Sequence, residues 1–222
     1  MILAGPKQPT LIQRDPLWQA QLAALFALLL QLLLPDKFLG GSKFLLLSLE
    51  AVLLVGLLAT TPKKPIFKSI ARRLNAVTLI SLVGLANIFT LQRLAHFLLL
   101  SGHITNGREL LIASVNIYIT NIIVFGMLYW EIDGGGPGKR MIQPLAERDF
   151  MFPQMSTPQF APQNWAATFM DYLYVSVTNA TAFSPTDTMP MTLKAKLLMG
   201  IQATTSLITV ALIAARAVNI LS

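Results

Sequence analysis

The stretch WAATFMDYLYVSVTNATAFSPTD, residues 165–187, is followed by one long apolar run from about Leu193 to Ile220. Its first part, Trp165–Val177, is thirteen mostly apolar residues. As helix they make only about 20 Å, against the roughly 30 Å of hydrocarbon that a spanning helix must cross. Such a run can enter a bilayer without crossing it. The polar segment Thr178–Asp187 then interrupts the chain before the full-length helix. Half-helix, irregular polar segment and full span is the order of a pore loop. Irregular backbone at membrane depth is tolerated only where protein or water covers it.

Composition agrees. The 222 residues are 54% hydrophobic and 12% charged, with a mean hydropathy of +0.61, a charged fraction well below that of a soluble domain. The chain therefore reads as an integral membrane protein in contact with the lipid bilayer. A net charge of +7 raises nucleic acid as a partner, but the basic residues sit in loops between apolar runs. There they act as topology determinants, and no nucleic acid is expected. The chain has no cysteine, so thiolate metal sites and disulfides are excluded. No small-residue cleavage signature follows the first apolar run, so it reads as a retained span rather than a signal peptide.

Working outward, the pattern predicts an all-α polytopic protein of five transmembrane helices plus the re-entrant half-helix. Spans one to four are expected at about Leu17–Leu34, Phe44–Ala59, Leu74–Leu100 and Leu110–Trp130. Trp18 and the Tyr129-Trp130 pair read as interfacial anchors, and Asn106 with Glu109 as an N-cap box. The run Gly134-Gly135-Gly136-Pro137-Gly138 ends span four. Residues 137–162 hold five prolines and read as an extended surface connection. The chain thus divides into a four-helix region (1–130), a Gly/Pro-rich extended connection (131–163), and the half-helix with the final span (164–222).

The run Asp171–Thr178, followed by Thr181, resembles the pore helix leading into the filter of two-helix potassium channels. Thr178, Phe183 and Asp187, the basic pair Lys194 and Lys196, and a Ser/Thr-rich helix ending near Asn219 resemble more closely an uncharacterised family of bacterial multi-spanning membrane proteins. The resemblance covers roughly residues 121–221 and implies architecture more than activity. Where a potassium channel has Thr-Val-Gly-Tyr-Gly, this chain has Thr181-Ala182-Phe183-Ser184-Pro185. Proline is locked near φ of about −65° and phenylalanine resists positive φ, so the same ladder of carbonyls is not expected to form. As a pore, Thr178, Thr181 and Ser184 would supply oxygens, Phe183 would wedge behind them and Asp187 would attract a monovalent cation at the mouth.

Other intramembrane polar groups carry two readings each. Glu50 calls for a partner, with Arg93 or Asn87 at compatible depth, as a structural pair or as a proton or ion relay. Asn116, Thr120 and Asn121 read as interhelical glue, and His96 as an interfacial or paired histidine. Gln202, Thr205 or Ser206, Thr209 and Arg216 recur every three to four residues and form one stripe, either packing glue or the lining of a cavity. Gly200 would allow a bend. No nucleophile–base pair, metal-ligand spacing or phosphate-binding glycine loop occurs, so neither an enzyme nor a cofactor is expected.

Charge then sets orientation. With the N-terminus in the cytoplasm, the inner segments carry twelve basic residues: Lys7, Arg14, Lys63, Lys64, Lys68, Arg72, Arg73, Lys139, Arg140, Arg148, Lys194 and Lys196. The outer ones carry Lys37, Lys43, Arg108 and Arg216. The positive-inside rule favours this arrangement, which puts the pore-like loop on the cytoplasmic side, inverted relative to potassium channels. The leading expectation is a channel-like pore module of the inner membrane, acting as a homo-oligomer. The alternatives are a non-conducting scaffold or partner-binding subunit and, more weakly, a small secondary transporter using Glu50.

Overall fold

A computed structural model of the chain describes residues 16–35, 38, 43–60, 70–100, 107–140, 145–163, 165–185 and 187–221. Lys7, Arg14, Lys37, the basic residues Lys63, Lys64 and Lys68, Asn106 and Thr186 lie outside the described residues, as does the side chain of Arg216. The described chain is mostly helical. Its helices are α1 (Leu17–Leu32), α2 (Lys43–Thr60), α3 (Ile70–Leu100), α4 (Gly107–Ile132), the one-turn α5 (Pro137–Arg140) and α6 (Pro153–Ser156), α7 (Phe169–Ala182) and α8 (Leu193–Leu221). Two short strands, β1 (Phe150–Met151) and β2 (Met189–Pro190), pair antiparallel with Phe150 opposite Pro190.

Among the described residues three helices are long and apolar enough to cross a membrane, over Ile70–Leu98, Arg108–Gly135 and Leu193–Ala215. At 16 and 18 residues, α1 and α2 are only about 24 and 27 Å long. The central element is α4, 67% of whose apolar window is buried, against 39% for α3 and 28% for α8. The outward faces of the bundle carry Leu22, Phe26, Val52, Leu85, Ile112 and Leu207, as expected of helices that meet lipid on one side.

Ion pairs relate the directions of α3, α4 and α8. Arg72 Nη2 lies 2.7 Å from Glu131 Oε1, so α3 starts where α4 ends. Lys194 Nζ lies 3.1 Å from Asp149 Oδ2, which brings the start of α8 to the same end of the bundle. This end also carries Arg73, Lys139, Arg140 and Arg148 by their position in the chain. It is the basic end, and it joins segments that the charge count had assigned to one side.

From the basic end α7 runs inward, antiparallel to α4. Phe169 meets Trp130, with ring centroids 5.9 Å apart. Further along, Ser176 Oγ donates to Ile122 O at 2.6 Å, and Tyr118 Oη donates to Ala180 O at 3.2 Å. Gly126 permits the approach, because a Cβ there would lie 3.2 Å from the Leu173 Cα. From Trp130 to Tyr118 is roughly 18 Å along α4, at about 1.5 Å per residue. The chain then comes back: Met191 N donates to Asp149 O at 2.8 Å, beside the β1–β2 bridge. Residues 183–188 can span about 20 Å when extended, enough for that return. The element is a helix with a returning segment that begins and finishes at one end of the bundle.

Three expectations are corrected here. The helix starts at Phe169 rather than Trp165, because Asp171 Oδ2 accepts from Thr168 N (2.7 Å) and Thr168 Oγ1 (2.8 Å) and so caps it. It also runs on through Ala182, so Thr178–Ala182 are helical rather than irregular. Phe183 does take positive φ, at 55° with ψ 22°, and ends α7 as a left-handed cap. Pro185 beyond it cannot continue a helix.

The 131–163 segment is no surface strap. Asp133, Arg140, Asp149, Phe150 and Phe152 are buried. Gly134, Gly135 and Gly136 all have positive φ, and a Cβ on Gly136 would come within 3.2 Å of Glu131 O. That turn needs glycine. It folds the segment back so that Phe150 sits between Tyr129 and Tyr172, at centroid distances of 5.1 and 6.1 Å. Phe152 packs tilted against Trp165 and edge-to-face against Tyr172. In consequence Tyr129 and Trp130, expected as an interfacial belt, are inside the protein.

Charge neutralisation makes this burial possible. Asp133 Oδ1 accepts from the backbone N of Asp149 (2.6 Å) and Phe150 (3.2 Å). Its Oδ2 accepts from Tyr172 Oη and faces Arg148 at 3.6 Å. Asp149 in turn accepts from Gly134 N and Thr192 Oγ1. Arg140 lies over the Tyr172 ring at 4.8 Å and donates to Trp130 O at 2.8 Å. Burial lowers the Arg148 guanidinium from its ordinary value, and the Asp133 carboxylate opposes that shift. Asp133→Ala should cost about 3–5 kcal/mol, the range for breaking a buried pair. Lys194→Met, which removes a mostly exposed partner, should cost less than about 1 kcal/mol. Unfolding in detergent measures both, and equal losses would contradict this account.

Candidate functional site

The hairpin tip is where the sequence placed its filter-like residues, and the inner side of α7 is what holds that tip. Tyr172, Ser176 and Asn179 recur at helical spacing on its buried face. Gln202 of α8 is fully buried among them. Its Oε1 accepts from Tyr129 Oη at 2.5 Å and from Asn179 Nδ2 at 2.8 Å. Its Nε2 donates to Ser176 O at 3.0 Å and Ser176 Oγ at 2.6 Å. Asn179 Nδ2 also reaches Met199 O at 3.0 Å. A turn further on, Asn121 Nδ2 donates to Ser206 Oγ at 2.9 Å. Every amide atom of Gln202 is bonded, so the network ties α4, α7 and α8 together with little freedom.

This arrangement revises the cavity-lining expectation. Gln202, Thr205 and Thr209 do share one face, as their spacing implied, but that face is buried in protein. Thr205 Oγ1 donates to Ile201 O and Thr209 Oγ1 to Thr205 O, both at 2.8 Å, so each hydroxyl is satisfied within α8. The stripe acts as glue within a single chain. Through Gly200 the helix runs unbroken.

The filter-like residues divide into two sets. Thr178 is half-buried and donates to Val175 O at 3.0 Å. Thr181, Phe183, Ser184 and Asp187 are exposed. Thr181 Oγ1 donates back to Val177 O (2.9 Å) and Thr178 O (3.2 Å), Ser184 Oγ to Ala182 O (3.3 Å), and Asp187 Oδ1 accepts from Thr188 Oγ1 (3.3 Å). The last carbonyls of α7 add the negative end of its dipole. The chemistry offered is that of weak, neutral oxygen donors beside one carboxylate.

Glu50 is not paired as expected. Asn87 Nδ2 is committed to Ile117 O at 3.1 Å. Arg93 lies against the rings of Phe89 and Phe97, at 5.9 and 5.8 Å. Both partners chosen by depth are turned toward other helix faces, because depth along a span says nothing about rotation around it. Both Glu50 oxygens are buried without a hydrogen-bond partner among the described residues.

Sequence reasoning missed Asp133, Asp149, Tyr172, Ser176 and Asn179. A signal existed for three of them, since positions 172, 176 and 179 repeat at the helical period in an apolar run. Comparison with protein-family models, curated proteins and solved structures finds no match.

The network yields a direct contrast. Gln202→Leu, similar in volume, takes the acceptor from Tyr129 Oη, one bond from Asn179 and the Nε2 donor from Ser176, and should cost about 3 kcal/mol. Thr209→Val, removing a hydroxyl bonded only to its own helix, should cost less than about 1 kcal/mol. Melting of both variants in detergent checks this, and a Thr209→Val loss as large as that of Gln202→Leu would sink it.

Proposed function

We propose that the chain is a multi-pass protein of the cell (inner) membrane, with five transmembrane helices, a re-entrant α7 hairpin and a cytoplasmic N-terminus. Several copies assemble so that their hairpin tips face a shared aqueous path for monovalent cations. One observation carries this reading: Thr181, Phe183 and Ser184 are exposed at a tip roughly 18 Å along α4 from the basic end. At that depth polar groups and irregular backbone need water or protein over them. Water and neighbouring copies together supply both. The C-terminal end of α7 brings negative potential to the tip, and Asp187 adds a carboxylate further along the returning segment, which together suit a cation. The resemblance of Asp171–Thr178 and Thr181 to the pore helix of two-helix potassium channels points the same way.

Selectivity in this reading differs from that of potassium channels. Thr181 and Ala182 are helical and their carbonyls are directed along the helix rather than across a pore. Discrimination then rests on the hydroxyls of Thr181 and Ser184 and on Asp187, a site with few ligands and weak preference among monovalent cations. A second reading, a non-conducting scaffold or partner-binding subunit, is favoured by the burial of Gln202, Thr205 and Thr209 within the protein.

Purified protein in planar bilayers separates the two. The pore reading expects a cation conductance that Asp187→Asn lowers most at low salt, since exposed charges are screened within about 8–10 Å near 0.1–0.15 M. It also expects that small thiol reagents block Thr181→Cys. A folded protein that passes no ions under voltage or gradient, with an unreactive Thr181→Cys, would leave the scaffold reading.

A further inference from the structure

Far from the basic end, the last turns of α3 open onto a cavity of about 330 Å³ whose described walls are Phe89, Gln92, Arg93, His96 and Phe97. The five recur at spacings of three and four, so they share one face of the helix. Gln92 and His96 are exposed and Arg93 is half-buried. The Arg93 guanidinium carbon lies 5.9 Å from the Phe89 ring centre and 5.8 Å from that of Phe97, one turn to either side along α3. Phe97 is held edge-on by the fully buried Phe38 at 5.6 Å, and His96 meets the Phe97 ring at 6.3 Å. The cation is therefore seated between two rings, one of which packs on the core formed by Phe38, Leu91 and Leu94.

Depth says what this face meets. The apolar span of α3 covers Ile70–Leu98, 29 residues, or about 44 Å of helix. A bilayer with both headgroup layers measures about 40–45 Å, of which roughly 30 Å is hydrocarbon. Set upright, the last turn and a half of the span lies among headgroups. Arg93, about 8 Å inside the end, sits at the boundary, with His96 in the headgroup layer and Phe89 in the hydrocarbon. Arginine suits phosphate, because its planar fork presents N–H donors in pairs to two oxygens. The Gln92 amide and a His96 ring N–H add donors on the same face. Phe89, 44% exposed, offers below them the apolar contact that an acyl chain makes and a free anion does not.

We propose that this face of α3 is a phospholipid site. The lipid phosphate takes Arg93 as its main partner, with Gln92 and His96 beside it, and an acyl chain runs down along Phe89. The site holds one lipid against the bundle at the end away from the basic segments. It rests on α3 crossing the bilayer and is independent of whether the hairpin conducts.

The test is photo-crosslinking of the full chain in bilayers, followed by peptide mapping. One probe is phosphatidylglycerol with a photoreactive group on an acyl chain; the other is diacylglycerol with the same chains and no phosphate. The expected result is a crosslink to the 85–97 stretch of α3 made by the first probe and much less by the second. Arg93→Met should lower that crosslink at least about tenfold, the loss of one charge-assisted contact, while crosslinks to α8 stay as they were. Gln92→Leu, at an exposed position, should lower it by a smaller factor. Equal labelling of 85–97 by the two probes in the native protein would overturn the proposal, and needs no variant to fold. So would a crosslink unchanged by Arg93→Met, or one abolished by inorganic phosphate, which would assign the face to a soluble anion.

Discussion

The structure depends on a reciprocal exchange between two aspartates at the basic end. Asp133 takes the backbone N–H groups of Asp149 and Phe150, and Asp149 takes that of Gly134. Each carboxylate thus closes the turn that carries the other. Without this exchange the proline-rich segment would have no reason to lie inward, and two carboxylates would be buried at prohibitive cost. With it, Phe150 reaches between Tyr129 and Tyr172, and Asp149 is positioned to receive Thr192 and Lys194 from the start of α8. The lock fixes where the hairpin leaves the end of the bundle and where it returns.

What lies inside the hairpin follows from the same economy of polar groups. In an apolar medium a buried amide is costly unless all its atoms are bonded, and Gln202 meets that demand by joining three helices at one point. Its partners come from α4 and α7, so the half-helix cannot slide or rotate without breaking several bonds at once. The outer face of α7 has no such support. Met170, Tyr174 and Val177 are exposed in line with Thr181, so an apolar strip runs along the outer face of α7 to a polar tip.

How much of this was legible in sequence depended on which physical signal each element carries. Long apolar runs give helices directly, and α3, α4 and α8 match their expected spans closely. The thirteen-residue run was too short to cross a bilayer, and the observed α7 is also short, at 14 residues. Its boundaries shifted because the Thr168–Asp171 cap, a local signal, went unread. Composition misled at residues 131–163: prolines argue for an extended path, but they do not say on which side of the surface it runs. Only long-range pairing of Asp133 with residues 149 and 150 decides that, and no window along the chain contains it. The stripe of Gln202, Thr205 and Thr209 was correctly read as one face, whereas its direction required knowing that α4 and α7 lie against it. Partner choice for Glu50 failed for a related reason, since depth along a span does not give rotation about it, and Asn87 and Arg93 turn to other groups.

The central claim is that the hairpin tip meets water at depth rather than lipid. A nitroxide label at Ser184→Cys, in protein reconstituted into a bilayer, reports this through its collisions with two paramagnets. One is oxygen, which concentrates in lipid; the other is a polar metal chelate confined to water. The account predicts strong relaxation by the chelate and weak relaxation by oxygen at Ser184, with the reverse at a label on lipid-facing Leu207. Oxygen-dominated relaxation at Ser184, equal to that at Leu207, would contradict it.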